Sequence, residues 1–209
     1  MDVLREIEAA TRRVGGRTVA AGPAHVVSLA RSFDEPLADV WEACTDAKQI
    51  PIWFLPVFGE LHVGGRYQLE GNAGGIVERC DPPRSFAATW EYGDDVSRLE
   101  VRFEIDGDGR SRLELEHISP VADGGHWAKY GPSAVGIGWD MALAGLADHL
   151  SGTRALNPAA AAAWMISREG RTFTTLSGGH WGEAAIAAGA DPADARAAAE
   201  RAVAAYIGD

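Results

Sequence analysis

The sequence predicts an α+β protein, a curved antiparallel sheet laid against one long buried helix. Three observations predict it. From Glu60 to Glu116 apolar residues recur at every second position, the period of strands with one dry face. Ser133 to Leu150, SAVGIGWDMALAGLADHL, is apolar on nearly every side, with Val135, Trp139, Leu143, Leu146 and Leu150 on one stripe and Ile137, Met141, Ala144 and Gly145 opposite. Such a helix is buried. Glycine pairs interrupt the strands, where they let a sheet bend.

The elements follow in order. Asp2 to Arg13 reads as a short helix stopped by Gly15-Gly16. His25 to Phe33 is a strand. Asp34-Glu35-Pro36 opens a helix whose buried stripe is Leu37, Val40, Trp41 and Cys44. A second short helix spans Asp46 to Ile50, and prolines 51 and 56 bracket Ile-Trp-Phe-Leu. Leu61 to Leu69 is one strand broken at Gly64-Gly65, and Ile76 to Cys80 is the next. Phe86, Ala88, Trp90 and Tyr92 share a face of another. Leu99, Val101, Phe103 and Ile105 alternate with charges, Asp106 to Gly109 turns the chain, and Leu113, Leu115 and His117 answer on the same face.

On the long helix only Asp140, Asp148 and His149 suit water, and Asp140 and the glycines make it a poor membrane span. Beyond Leu150, Ser151-Gly152-Thr153 is a linker and residues 157 to 207 are alanine-rich and helical. Helices are expected over Pro158 to Ser167, Trp181 to Ala188, and from Asp191 onward, where an acidic first turn marks the start. These helices are expected to cover the back of the Ser133–Leu150 helix, or to offer a homodimer or protein contact. The chain thus divides into an N-terminal helix and linker (1–23), a core domain (24–151) and a helical extension packed on the core (152–209).

The totals exclude several functions. With 209 residues and 46% hydrophobic content the chain can bury a sizeable core. A net charge of −11 opposes binding to nucleic acid or to an anionic membrane surface. Two cysteines make no disulfide framework. The charged, amphipathic opening MDVLREIEAATRR is no signal peptide, so a cytoplasmic location is expected.

Chemistry is sparse. The six histidines occur in no HExxH or HxH spacing, and no CxxC is present, so no metal is expected. No phosphate-binding glycine motif appears, and no cofactor is expected. Cys44 lies on a packed stripe and Ser133 at a helix start, where a thiol is inert and a hydroxyl caps. What remains is the dry face. Trp53, Phe54, Phe58, Tyr67, Leu69, Trp90, Tyr92, Leu99, Val101, Phe103, Leu115, His117, Trp127, Trp139 and Leu143 are the residues expected to line a pocket for a small hydrophobic ligand. His117, Tyr67 and Tyr92, with Glu70 or Asp140 near the rim, are its polar groups, and His117 is the one weak catalytic candidate. Trp53-Phe54-Leu55-Pro56 reads equally as a lid or an anchor, and His126 to Tyr130 as a gate or a helix staple.

The order RSF, DEPLADVWEACTD, WFLP, GELHVGGRYQLE, ATWEYG, SRLEVRFEIDGDGRSRLELEH and GWDMALAGLADHL resembles the SRPBCC (START-like) superfamily. Within it the chain is similar to the branch related to the activator of heat-shock-protein-90 ATPase, over about residues 24 to 151. The resemblance implies a helix-grip fold, with the sheet wrapped around the long helix and a hydrophobic cavity between them. Residues 154 to 209 resemble an extension seen in some actinobacterial members. No catalytic motif is shared across the superfamily, so three functions stay open. They are small-molecule binding without catalysis, a polyketide cyclase or aromatase-like enzyme using the same cavity, and a chaperone-activator-like protein-interaction module.

Overall fold

The computed structural model describes residues 2–107, 109–122, 125–152 and 158–208. Asp108 of the expected turn and Thr153 of the expected linker lie outside them. The fold is α+β and of the helix-grip type, with one eight-stranded antiparallel curved sheet and long C-terminal helices. The strand order is β1 (Ala10–Val19), β2 (Gly22–Phe33), β8 (Ser111–Pro120), β7 (Asp95–Ile105), β6 (Ser85–Tyr92), β5 (Gly74–Asp81), β4 (Arg66–Leu69), β3 (Val57–Gly59). The chain divides into two compact units, Met1–Leu29 with Pro120–Met141 and Pro158–Asp209, and Ala30–Ser119 with Ala142–Asn157.

The first unit begins with α1 (Val3–Glu8), capped by Asp2, whose carboxylate accepts from the Arg5 amide at 3.3 Å. The helix does not reach Arg13. Ala10–Val19 is strand β1, the neighbour of β2 (Gly22–Phe33) in the sheet. The reason is tertiary. Arg12 donates Nε–H to both oxygens of Asp140, at 3.1 and 2.9 Å, and Thr11, Val14, Thr18 and Val19 suit a strand. Burial along β1 alternates through Arg12 and Val14, then slips by one residue at Gly15-Gly16 to resume at Arg17 and Val19.

The same unit holds α4 (His126–Tyr130), the first half of α5 (Ser133–Leu150), α6 (Pro158–Ile166), α7 (Arg168–Ala187) and α8 (Pro192–Ile207). Helix α7 starts thirteen residues earlier than the sequence predicts, with Ser167 as its cap. Gly178 and Gly182 are contact points in it. A Cβ on Gly178 would meet Val203 Cγ2 at 2.4 Å, and one on Gly182 would meet Ala199 Cβ at 3.3 Å. Across from them a Cβ on Gly136 of α5 would collide with the Trp181 ring. Small residues let these helices approach closely, and the burial of Trp181 and Phe173 outweighs weak helix propensity.

The second unit carries the end of β2, then α2 (Leu37–Thr45) and α3 (Ile50–Trp53). Helix α3 follows the predicted Asp46–Ile50 helix instead of coinciding with it. The Asp46 carboxylate accepts from the Lys48 amide at 2.7 Å and holds that segment as a turn. The strands are β3 (Val57–Gly59), β4 (Arg66–Leu69), β5 (Gly74–Asp81), β6 (Ser85–Tyr92), β7 (Asp95–Ile105) and β8 (Ser111–Pro120). The single strand expected over Leu61–Leu69 is a turn followed by β4, which pairs back on β3 through Phe58 and Gln68. Gly59 makes this possible, with φ at +97° and the Arg66 carbonyl oxygen where a Cβ would sit.

Candidate functional site

The alternation read from the sequence becomes one inner face in the second unit. Leu99 lies opposite His117, Val101 opposite Leu115 and Phe103 opposite Leu113, while Ala88 and Phe86 answer from β6. All of these are buried except Phe86, which is half-buried. Tyr67, Leu69 and Ala88 form a small core on which Phe54, Leu55, Val57, Leu61, Val77 and Trp90 pack half-buried. Aromatic rings meet edge to face around it. Trp41 stands 5.2 Å from Phe103 and 6.3 Å from Phe86, each at 72°.

His117 is the titratable group at the centre of this face. It is 3% exposed, and its ring lies 6.1 Å from Trp90 at 67°. Burial pulls its pKa down from the usual 6.5 to about 4, so the imidazole is neutral near pH 7. The Tyr67 hydroxyl donates to the Thr89 carbonyl at 2.6 Å, and burial first, then the Glu91 charge, pushes its pKa up. Burial likewise pushes the Cys44 thiol up, which removes it as a nucleophile. Trp53 donates its indole N–H to the Ala43 carbonyl at 2.9 Å, so Trp53-Phe54 is tied to α2 and serves as an anchor. At the far end of α5, His149 Nε2 lies 3.2 Å from Gln49 Oε1.

The second unit thus gathers Trp53, Phe54, Tyr67, Leu69, Trp90, Leu99, Val101, Phe103, Leu115, His117 and Leu143. Phe58 and Tyr92 do not belong on its buried face. They are 58% and 59% exposed, because Phe58 sits on the terminal strand β3 and Tyr92 at the last position of β6. Trp127 and Trp139 belong to the first unit, where Trp127 stacks on His25. Trp41 and Phe86 join the site unforeseen, although the helical stripe and the strand alternation had already turned them inward.

Asp140 is neither exposed nor at a rim. At 3% exposure it accepts from Arg12, from Ser177 Oγ, and from Trp181 Nε1 at 3.0 Å, all within the first unit. Glu70 is exposed. Ser133 is buried and donates to the Gly178 carbonyl at 3.4 Å. Among the described residues no group of three or more His, Cys, Asp or Glu could hold a metal ion, and no helix is long and apolar enough to cross a membrane.

A family model described as Activator of Hsp90 ATPase homolog 1-like protein matches residues 34–151. The crystal structure of CalU16 from Micromonospora echinospora is 33% identical, covers 81% of this chain and 98% of its own, and superposes with a TM-score of 0.62. The solution structure of CalU16 gives 31% identity, coverage of 86% and 97%, and a TM-score of 0.71. Protein MLL2253 from Mesorhizobium loti shares the fold at 18% identity, with coverage of 63% and 99% and a TM-score of 0.53. No curated protein matches the chain.

Proposed function

Because this chain belongs to the Activator of Hsp90 ATPase homolog 1-like family, within the SRPBCC superfamily, we propose that its second unit binds a small hydrophobic molecule on the inner face of the sheet. The observation that carries this reading is His117, a neutral imidazole among apolar and aromatic side chains, edge-on to Trp90. Such sites are mostly apolar with a few placed polar groups. The ligand class that fits is an apolar ring compound bearing one carbonyl or hydroxyl, with the rings against Trp90 and Phe54 and the oxygen toward His117.

The test is a denaturing mass spectrum of a lipophilic extract of the purified chain, followed by thermal unfolding with the recovered compound returned. A stoichiometric compound that raises the melting temperature supports binding, since a ligand of the native state must stabilise it. His117→Leu keeps the bulk and removes the polar partner, and should weaken that compound about tenfold, the equivalent of one hydrogen bond. No recovered compound, together with no thermal shift from any hydrophobic molecule tried, overturns the reading.

A second reading, in which the same residue works as a base, rests on its place on the apolar face beside Trp90; a pKa of about 4 makes it a weaker base than a free imidazole. Unprotonated at neutral pH, His117 can accept a proton from a carbon beside a bound carbonyl, as a cyclase or aromatase-like reaction requires. Turnover of the extracted compound that His117→Gln abolishes without loss of binding would establish it.

A further inference from the structure

A cavity lies wholly within the first unit. It has a volume of about 720 Å³ and runs from Gly15-Gly16 of β1, past Trp127 and Gly131, to Asp194 and Arg201 of α8. Most of its remaining wall is alanine, including Ala128, Ala185 and Ala195. Short walls leave the stacked pair of His25 and Trp127 as its broad surface, with ring centroids 4.0 Å apart and planes 2° from parallel. Burial lowers the pKa of His25, which keeps that pair neutral and apolar near pH 7.

Its charges are arranged along α8. Asp194 and Arg201 are seven residues apart, which is two turns of one helix face and about 10 Å. Arg201 is oriented, because its Nε–H donates to the Lys129 carbonyl at 2.8 Å. Its Nη groups remain for an anion. One end of the cavity is therefore built for a cation and the other for an anion, with a stacking surface between.

Backbone polarity completes the arrangement. β1 is the terminal strand of the sheet, and at Gly15 nothing lies within 4 Å of where a Cβ would be. A terminal strand presents backbone groups along its outer edge, the groups an added extended chain would use.

We propose that this cavity is a binding site for a short free peptide, one whose ammonium and carboxylate are about 10 Å apart with an aromatic side chain between them. Three extended residues span about 10 Å. The ammonium lies at Asp194, the carboxylate at Arg201, the aromatic ring on Trp127, and the peptide groups against Gly15-Gly16. This ligand differs in class from the apolar compound proposed for the second unit, and the two sites share no residue.

The probe is Gly-Trp-Gly, titrated calorimetrically into the full chain while amide shifts of Gly15 and Gly16 and the indole shift of Trp127 are followed by NMR. Saturable binding that moves those three resonances is expected, with Gly-Ala-Gly at least tenfold weaker. Arg201→Gln should weaken Gly-Trp-Gly about tenfold but leave its C-terminal amide unaffected. Asp194→Asn should do the same for the free and N-acetylated peptides. Both side chains are exposed, so neither substitution threatens the fold. The absence of shifts at millimolar peptide, or equal affinity for free and blocked peptides, overturns the proposal.

Discussion

Each unit buries an ionisable side chain, and the two are treated in opposite ways. In the first unit Asp140 is surrounded by donors: the Arg12 guanidinium, the Ser177 hydroxyl and the Trp181 indole. In the second, His117 sits among Leu99, Leu115 and Trp90 with its pKa pulled down. A buried carboxylate held by charge-assisted hydrogen bonds fixes one packing arrangement. His117 lies opposite Leu99 across the sheet and meets Trp90 edge to face, with apolar neighbours on the buried face. The contrast separates a charged group held by a network of donors from a ring on the face where a ligand is proposed to bind.

Breaking the Asp140 network should have the largest effect. Asp140→Ala leaves the Arg12 side chain, 5% exposed, without its counter-charge, at a cost of about 3–5 kcal/mol in chemical denaturation. If the network only fixes packing, the apolar pair Arg12→Met with Asp140→Leu should recover most of that loss.

Next comes pH. The unfolded chain protonates His117 near 6.5, whereas the native state resists until about 4. The unfolded state therefore binds more protons in that window, and stability falls as pH drops from 6.5 toward 4, by about 3 kcal/mol. His117→Leu should flatten this slope in urea titrations at stepped pH; an unchanged slope would assign it to other groups.

Gly136→Ala should cost about 1–3 kcal/mol, because the added methyl meets the Trp181 ring. Trp181 also donates to Asp140, so this substitution tests packing and network together. The smallest effect belongs to Phe58→Ser and Tyr92→Ser. Both side chains are exposed, so each should change stability by less than about 0.5 kcal/mol and leave ligand binding unaltered.

The contrast also marks what the sequence could reveal. The inner face of β7 and β8 was legible because strict alternation leaves one register that buries Leu99, Val101, Phe103, Leu115 and His117. The bounds of α5 were legible because no charge interrupts it before Asp140. The meaning of Asp140 was hidden. Its partner Arg12 is 128 residues away, and Ser177 and Trp181 lie 37 and 41 residues on. A period of two or 3.6 carries no information at that range. The same long-range pairing turned the expected helix through Arg13 into β1. The part played by Gly178 and Gly182 was hidden for a related reason, since it depends on Val203 and Ala199 of another helix.

The central claim, that the second unit's inner face takes an apolar ring compound against His117, is tested most directly by NMR with 2-naphthol, a flat apolar molecule with one hydroxyl. The ring resonances of His117 and Trp90 should shift saturably on titration, while those of His25 and Trp127 stay in place. Shifts confined to His25 and Trp127, or none at all, would contradict it.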